Sequence, residues 1–102
     1  MSYNLIIKEE AHRDSVAAFD YYESCQEGLG ERFVNALLNR YNDLSEHPQY
    51  YSYIVEDPKR VLRDVKLESF PYVVVFEITE SKEVVVYAVH NTHKDPSNKT
   101  TK

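Results

Sequence analysis

The stretch Arg63-Asp64-Val65-Lys66-Leu67-Glu68-Ser69-Phe70-Pro71-Tyr72-Val73-Val74-Val75-Phe76-Glu77-Ile78 decides the fold. Its first part alternates. Val61, Arg63, Val65 and Leu67 fall on one side of an extended chain and Leu62, Asp64 and Lys66 on the other, which predicts a half-exposed strand. From Tyr72 to Ile78 nearly every residue is β-branched or aromatic, so a second, more deeply buried strand is expected there. Phe70-Pro71-Tyr72 joins the two. Proline has no N–H to give to a ladder and suits the position just before a strand, and both flanking rings are expected in the core. A third strand, Val84 to His90, follows Thr79-Glu80-Ser81-Lys82-Glu83, a length that suits a five-residue hairpin connection and hence antiparallel pairing.

Upstream of this stretch the period changes from two to that of a helix. Tyr3, Leu5 and Ile7 alternate with Asn4, Ile6 and Lys8, a short first strand. Between Glu9 and about Glu27, Ala11, Val16, Ala18, Phe19 and Tyr22 recur at helical spacing, with acids near the start where the helix dipole favours them. Gly28-Leu29-Gly30 holds the chain's two glycines and predicts a left-handed cap and a tight reversal. A second helix from about Glu31 to Glu46 aligns Phe33, Leu37, Tyr41 and Leu44, with Ala36 beside them, until His47-Pro48 stops it. Gln49 to Lys59, with Tyr50, Tyr51 and Tyr53, reads as a loop or a short extended piece. Strand, helix, helix and three strands predict an α+β domain: a helical hairpin on one face of a mostly antiparallel sheet. One domain over residues 1–96 is expected, with 97–102 as a disordered tail.

Composition narrows the function classes. A chain of 102 residues with 42% hydrophobic and 28% charged residues has the make-up of an ordinary folded domain. Its longest apolar runs, Val73 to Phe76 and Val84 to Val89, are far too short to span a bilayer, and the first residues lack a signal-peptide pattern, so a cytoplasmic location is expected. The net charge of −5 is uneven: residues 1–58 carry four Lys/Arg against eleven Asp/Glu, or −7, and residues 59–102 carry eight against six, or +2. An excess of two is no polyphosphate-binding stripe. The lone Cys25, in an acidic Glu-Ser-Cys-Gln-Glu context, is expected to be inert. His90 and His93, three apart with no third ligand, make a poor zinc site, so neither a metal nor any other cofactor is predicted.

Several motifs, taken in order, resemble the ParE/RelE toxin superfamily: Ala17-Ala18-Phe19-Asp20-Tyr21-Tyr22, Gly28-Leu29-Gly30-Glu31-Arg32-Phe33, His47-Pro48, Arg63 with Leu67, Phe70-Pro71-Tyr72, and His90, Lys94 and Pro96. The resemblance implies a small bacterial toxin of the plasmid-stabilisation type, encoded with an antitoxin that wraps it. RelE-like members are ribosome-dependent ribonucleases acting on mRNA; ParE-like members act on DNA gyrase. RNA cleavage needs a base for the 2′-hydroxyl, an acid for the leaving oxygen and fixed positive charge for the transition state. The candidates for those roles are Arg63, Lys66, His90, His93 and Lys94, of which Arg63 and Lys66 fall on opposite faces of a regular strand. For a ParE-like toxin the resemblance implies target contacts at Arg63, Lys66, His90 and Lys94, with Lys94 standing where the pattern more often has arginine. No aromatic residue follows Tyr87, whereas RelE-like nucleases often carry one late in the chain; this departure favours the ParE-like branch. A scaffold that only binds its antitoxin or a second copy as a homodimer is the third reading. Arg63 has a structural alternative, an ion pair with Asp64 or Glu77, and the loop tyrosines an alternative as cover for the core edge.

Overall fold

The computed structural model describes residues 3–50 and 62–92, the side chain of Tyr50 excepted. Strand β1 (Asn4–Ile7) leads into helices α1 (Glu9–Cys25) and α2 (Leu29–Glu46), a 3₁₀ turn over Pro48–Tyr50, and strands β2 (Leu62–Lys66), β3 (Tyr72–Ile78) and β4 (Glu83–Asn91). The sheet order is β1-β4-β3-β2. As expected, β2, β3 and β4 are antiparallel neighbours. The first strand lies at the far edge, parallel to β4, because the helical hairpin carries the chain across the sheet before β2 begins.

Register assigns every strand residue to a face. Toward the helices point Arg63, Val65 and Leu67 of β2 and its continuation, Tyr72, Val74 and Phe76 of β3, Val84, Val86 and Val89 of β4, and Leu5 and Ile7 of β1. Val75 pairs with Ala88 but Phe76 with Val86, so Tyr87 is an extra residue in β4. This bulge shifts the alternation by one, which is why Val86 and Val89 share the core face.

The hairpin closes over that face with Ala11, Ala18, Phe33, Leu37 and Leu44. Val16, expected among the buried positions of α1, is 45% exposed; it lies on the flank toward α2 and lines a groove there. The Phe-Pro-Tyr step docks as foreseen: Tyr22, Phe33, Phe70 and Tyr72 form a ring cluster with centroids 5.0–6.1 Å apart, mostly edge-to-face. Such pairs add roughly 0.5–1.5 kcal/mol each beyond burial, so this cluster fixes the hairpin to the β2–β3 end of the sheet.

The two glycines act differently. Gly28 has φ +87° and precedes the first residue of α2, the left-handed turn the sequence predicts. Gly30 lies inside α2 and is fully packed: a Cβ there would come 2.8 Å from both the ring and the carbonyl oxygen of Phe19. It permits close helix approach and takes no part in the reversal. No side chain at Gly28 can cap α2, and Glu23 of α1 does so instead, its carboxylate accepting from the N–H groups of Gly28 at 3.0 Å and Gly30 at 2.9 Å.

Candidate functional site

The sheet has one face under the helices and one left open by them. On the open face the side chains stand in cross-strand rows: Lys66–Val73–His90, Asp64–Val75–Ala88, and Leu62–Glu77–Val85–Ile6. Val75, Val85 and Ala88 are buried at its centre, and charged groups surround them. The Tyr87 hydroxyl, brought to this face by the bulge, donates to Glu77 Oε1 at 2.7 Å. Burial pushes the Asp64 carboxyl above the usual carboxylate range, and Lys66 nearby opposes part of that rise. A hollow of about 540 Å³ beside Tyr87 reaches His90 and the start of α1 at Lys8, Glu9 and Glu10.

The predicted site residues that lie among the described ones, Arg63, Lys66 and His90, do not converge. Lys66 and His90 share one row on the open face, two strand spacings or roughly 10 Å apart, with Val73 between them. Arg63 is on the helix side, in the row Arg63–Phe76–Val86, and its guanidinium donates to the carbonyl of Gln49 at 3.3 Å. The regular register thus separates Arg63 from Asp64 and Glu77, the carboxylates expected as its alternatives. His93 and Lys94 lie outside the described residues, as do Tyr51 and Tyr53. Among the described residues no group of three potential metal ligands comes together.

Other side chains around the helices are the ones the sequence reading missed. Arg40 donates from Nε to the carbonyl of Lys66 at 2.7 Å and from Nη1 to Asp43 at 3.0 Å, tying α2 to the end of the edge strand β2. Asp14, on α1, accepts from the backbone N–H of Val89 at 3.0 Å. Tyr41, expected in the core stripe, is half-buried and packs against the core. It borders a largely apolar groove of about 540 Å³ between the helices, with Ile7, Val16, Phe19, Val34 and Leu38. Its hydroxyl is buried without a hydrogen-bond partner among the described residues. Burial raises the Tyr41 phenol above its ordinary pKa, and the Asp14 charge adds to the rise. Leu38 and Val16 remain largely exposed along the same groove. The spacing of Val16, Phe19, Val34, Leu38 and Tyr41 was the available signal: it makes the apolar arc of each helix wider than one contact face needs.

The sequence model of the ParE toxin of type II toxin-antitoxin systems, parDE, matches residues 5–96. The chain belongs to the ParE toxin family. Its fold is similar to that of a chain of the chromosomal ParDE toxin-antitoxin system from P. aeruginosa, with a TM-score of 0.74 at 18% identity over 88% of this chain and 96% of the other. At that identity the likeness establishes the fold alone, and no curated protein matches the sequence. This ParE-family chain therefore has the element order that the Phe-Pro-Tyr stretch and the double-glycine turn predicted. Among its described residues no helix is long and apolar enough to cross a membrane.

Proposed function

We propose that this ParE-family protein arrests growth by binding a protein target, DNA gyrase, and that a cognate antitoxin neutralises it. The observation that carries the choice of binding over RNA cleavage is the separation of Arg63 from His90 by the thickness of the sheet. A ribonuclease of the RelE type must hold one phosphate between fixed positive charge and acid–base groups. Here Arg63, the candidate for the phosphate, and His90, the candidate imidazole among the described residues, face opposite ways. Lys66 is on the correct side, yet Asp64 and Glu77 share that face and offset its charge. A phosphate approaching this face would meet two carboxylates, whereas a protein surface with apolar and basic groups would be complementary to it.

For target contact we assign the open face, with Lys66 and His90 as its contributors, Lys94 as a further contact in the chain after β4, and Arg63 at the edge of β2. For the antitoxin we assign the groove between α1 and α2. Its apolar lining, exposed Leu38 and Val16, and a Tyr41 hydroxyl without a partner among the described residues suit an amphipathic segment that fills the groove and offers one hydrogen-bond partner. Growth after induced expression, with and without the small reading frame encoded beside the gene, tests the pairing: arrest that the second product relieves is expected. Unhindered growth with soluble, folded protein would overturn the toxin reading.

A further inference from the structure

The opposite flank of α1 carries a second groove. Strand β4 has nine residues and β1 only four, so beyond Val86 the outer side of β4 has no strand beside it among the described residues. The Tyr87 bulge turns the Val89 N–H toward that side, where Asp14 Oδ2 accepts it at 3.0 Å. Asp14, Ala17, Ala18 and Tyr21 stand at i, i+3, i+4 and i+7 on α1 and form one wall of a groove of about 450 Å³; Tyr72, Val89, His90 and Asn91 complete it.

Its chemistry is unlike that of the groove between the helices. The Asp14 carboxylate is half-buried, and its described bond uses one oxygen on a neutral donor. Ion pairs among the described residues join Arg13 to Glu9, Arg40 to Asp43 and His47 to Glu46, and none reaches Asp14. The small side chain of Ala17 leaves space above the carboxylate, and the Tyr21 ring, 59% exposed, borders that space. A carboxylate and an exposed aromatic ring along the wall of one groove are suited to a guanidinium, which can form a charge-assisted hydrogen bond at its edge and stack through its plane. An ammonium would gain the charge but not the stacking. The surrounding half of the chain, with a net charge of −7 over residues 1–58, favours a cation at long range as well.

We propose that this groove receives an arginine side chain of the antitoxin, its guanidinium bonded to the second carboxylate oxygen of Asp14 and stacked on Tyr21. The antitoxin as the source rests on the toxin reading above; the recognition of a guanidinium by the groove does not.

The Val89 amide is a built-in reporter, since its hydrogen bond to Asp14 responds to anything that binds the same carboxylate. Capped Ala-Arg-Ala titrated into the ¹⁵N-labelled protein should give saturable shifts at Ala17, Tyr21, Val89, His90 and Asn91. The citrulline counterpart, equal in shape but uncharged, should bind about tenfold more weakly or worse. Asp14→Asn keeps an acceptor for Val89 and should weaken the arginine peptide by a similar factor while leaving the remaining amide spectrum in place. Equal binding of the citrulline peptide, shifts confined to other regions, or no shifts with the arginine peptide would each overturn the proposal. In the second arm, calorimetry with the antitoxin should show the Asp14→Asn toxin bound about tenfold more weakly than the parent; equal affinity removes the antitoxin as the source. A parent protein that binds the arginine peptide at this groove yet leaves growth unaffected would refute the toxin reading and sustain the guanidinium site.

Discussion

Replacing Glu23 tests whether the helical hairpin is held by a cap supplied from the neighbouring helix. Helix α2 begins at Leu29 after a glycine that offers no capping side chain, so its first N–H groups depend on Glu23, which accepts from Gly28 at 3.0 Å and Gly30 at 2.9 Å. A hydrogen bond to a charged acceptor contributes about 1.5–3 kcal/mol and a lost N-cap costs about 0.5–2 kcal/mol. Both bonds share one half-buried carboxylate and water replaces part of the loss, so Glu23→Ala should destabilise by about 2 kcal/mol. At about 4–8 °C per kcal/mol for a domain near this size, Tm should fall by roughly 10 °C. Glu23→Gln keeps one acceptor but turns an NH₂ group toward the other N–H, and about half the loss is expected. Urea unfolding monitored by circular dichroism gives the free energies, and hydrogen exchange at Gly28 and Gly30 shows whether the loss is local. A Glu23→Ala protein within about 0.5 kcal/mol of the parent, with both amides still protected, would refute the reasoning.

Three further outcomes follow from the packing and the open face. Gly30→Ala, which in an unconstrained helix would stabilise, should here cost about 1–3 kcal/mol in denaturant midpoint measurements, because the Phe19 carbonyl 2.8 Å from the new Cβ has little room to yield. Phe33→Leu removes ring contacts with Tyr22, Phe70 and Tyr72 and should cost roughly 1–2 kcal/mol by the same measurement. Asp64 holds its proton to higher pH in the fold than in the unfolded chain, because burial disfavours its charge; its contribution to stability therefore falls as pH rises from the ordinary carboxylate value through the raised one. Asp64→Asn should raise Tm at neutral pH, and the gain should vanish below that window in a pH series of thermal scans.

How far the sequence reveals the fold depends on whether each determinant is local. Alternation across Arg63–Leu67, the β-branched run Tyr72–Ile78 and the Phe-Pro-Tyr step all act within a few residues, and β2, β3 and their aromatic docking appear where they predict. The opposite faces of Arg63 and Lys66 follow from parity alone. The parallel seating of β1 on β4 was not legible, because it depends on the path of two helices and on no signal within Asn4–Ile7. Nor was the extra residue at Tyr87: an unbroken apolar run from Val84 to Val89 conceals a shift of one in the alternation. Gly30 looked like part of a turn since glycine serves both turns and close approaches, and only the position of Phe19 separates the two uses. Asp14 is one of many acids on α1 by sequence, and its bond to Val89 spans 75 positions.

The central claim is that the protein binds gyrase and cleaves no RNA, and the most direct measurement runs the purified protein in two reactions side by side: DNA supercoiling by gyrase, and translation by ribosomes on a defined mRNA whose ends are mapped. Loss of supercoiling in proportion to added protein, restored by the antitoxin, with the mRNA intact, is the predicted result. Ribosome-dependent cuts in the mRNA with supercoiling unaffected would contradict the account and place the acid–base chemistry on residues that the sheet separates here.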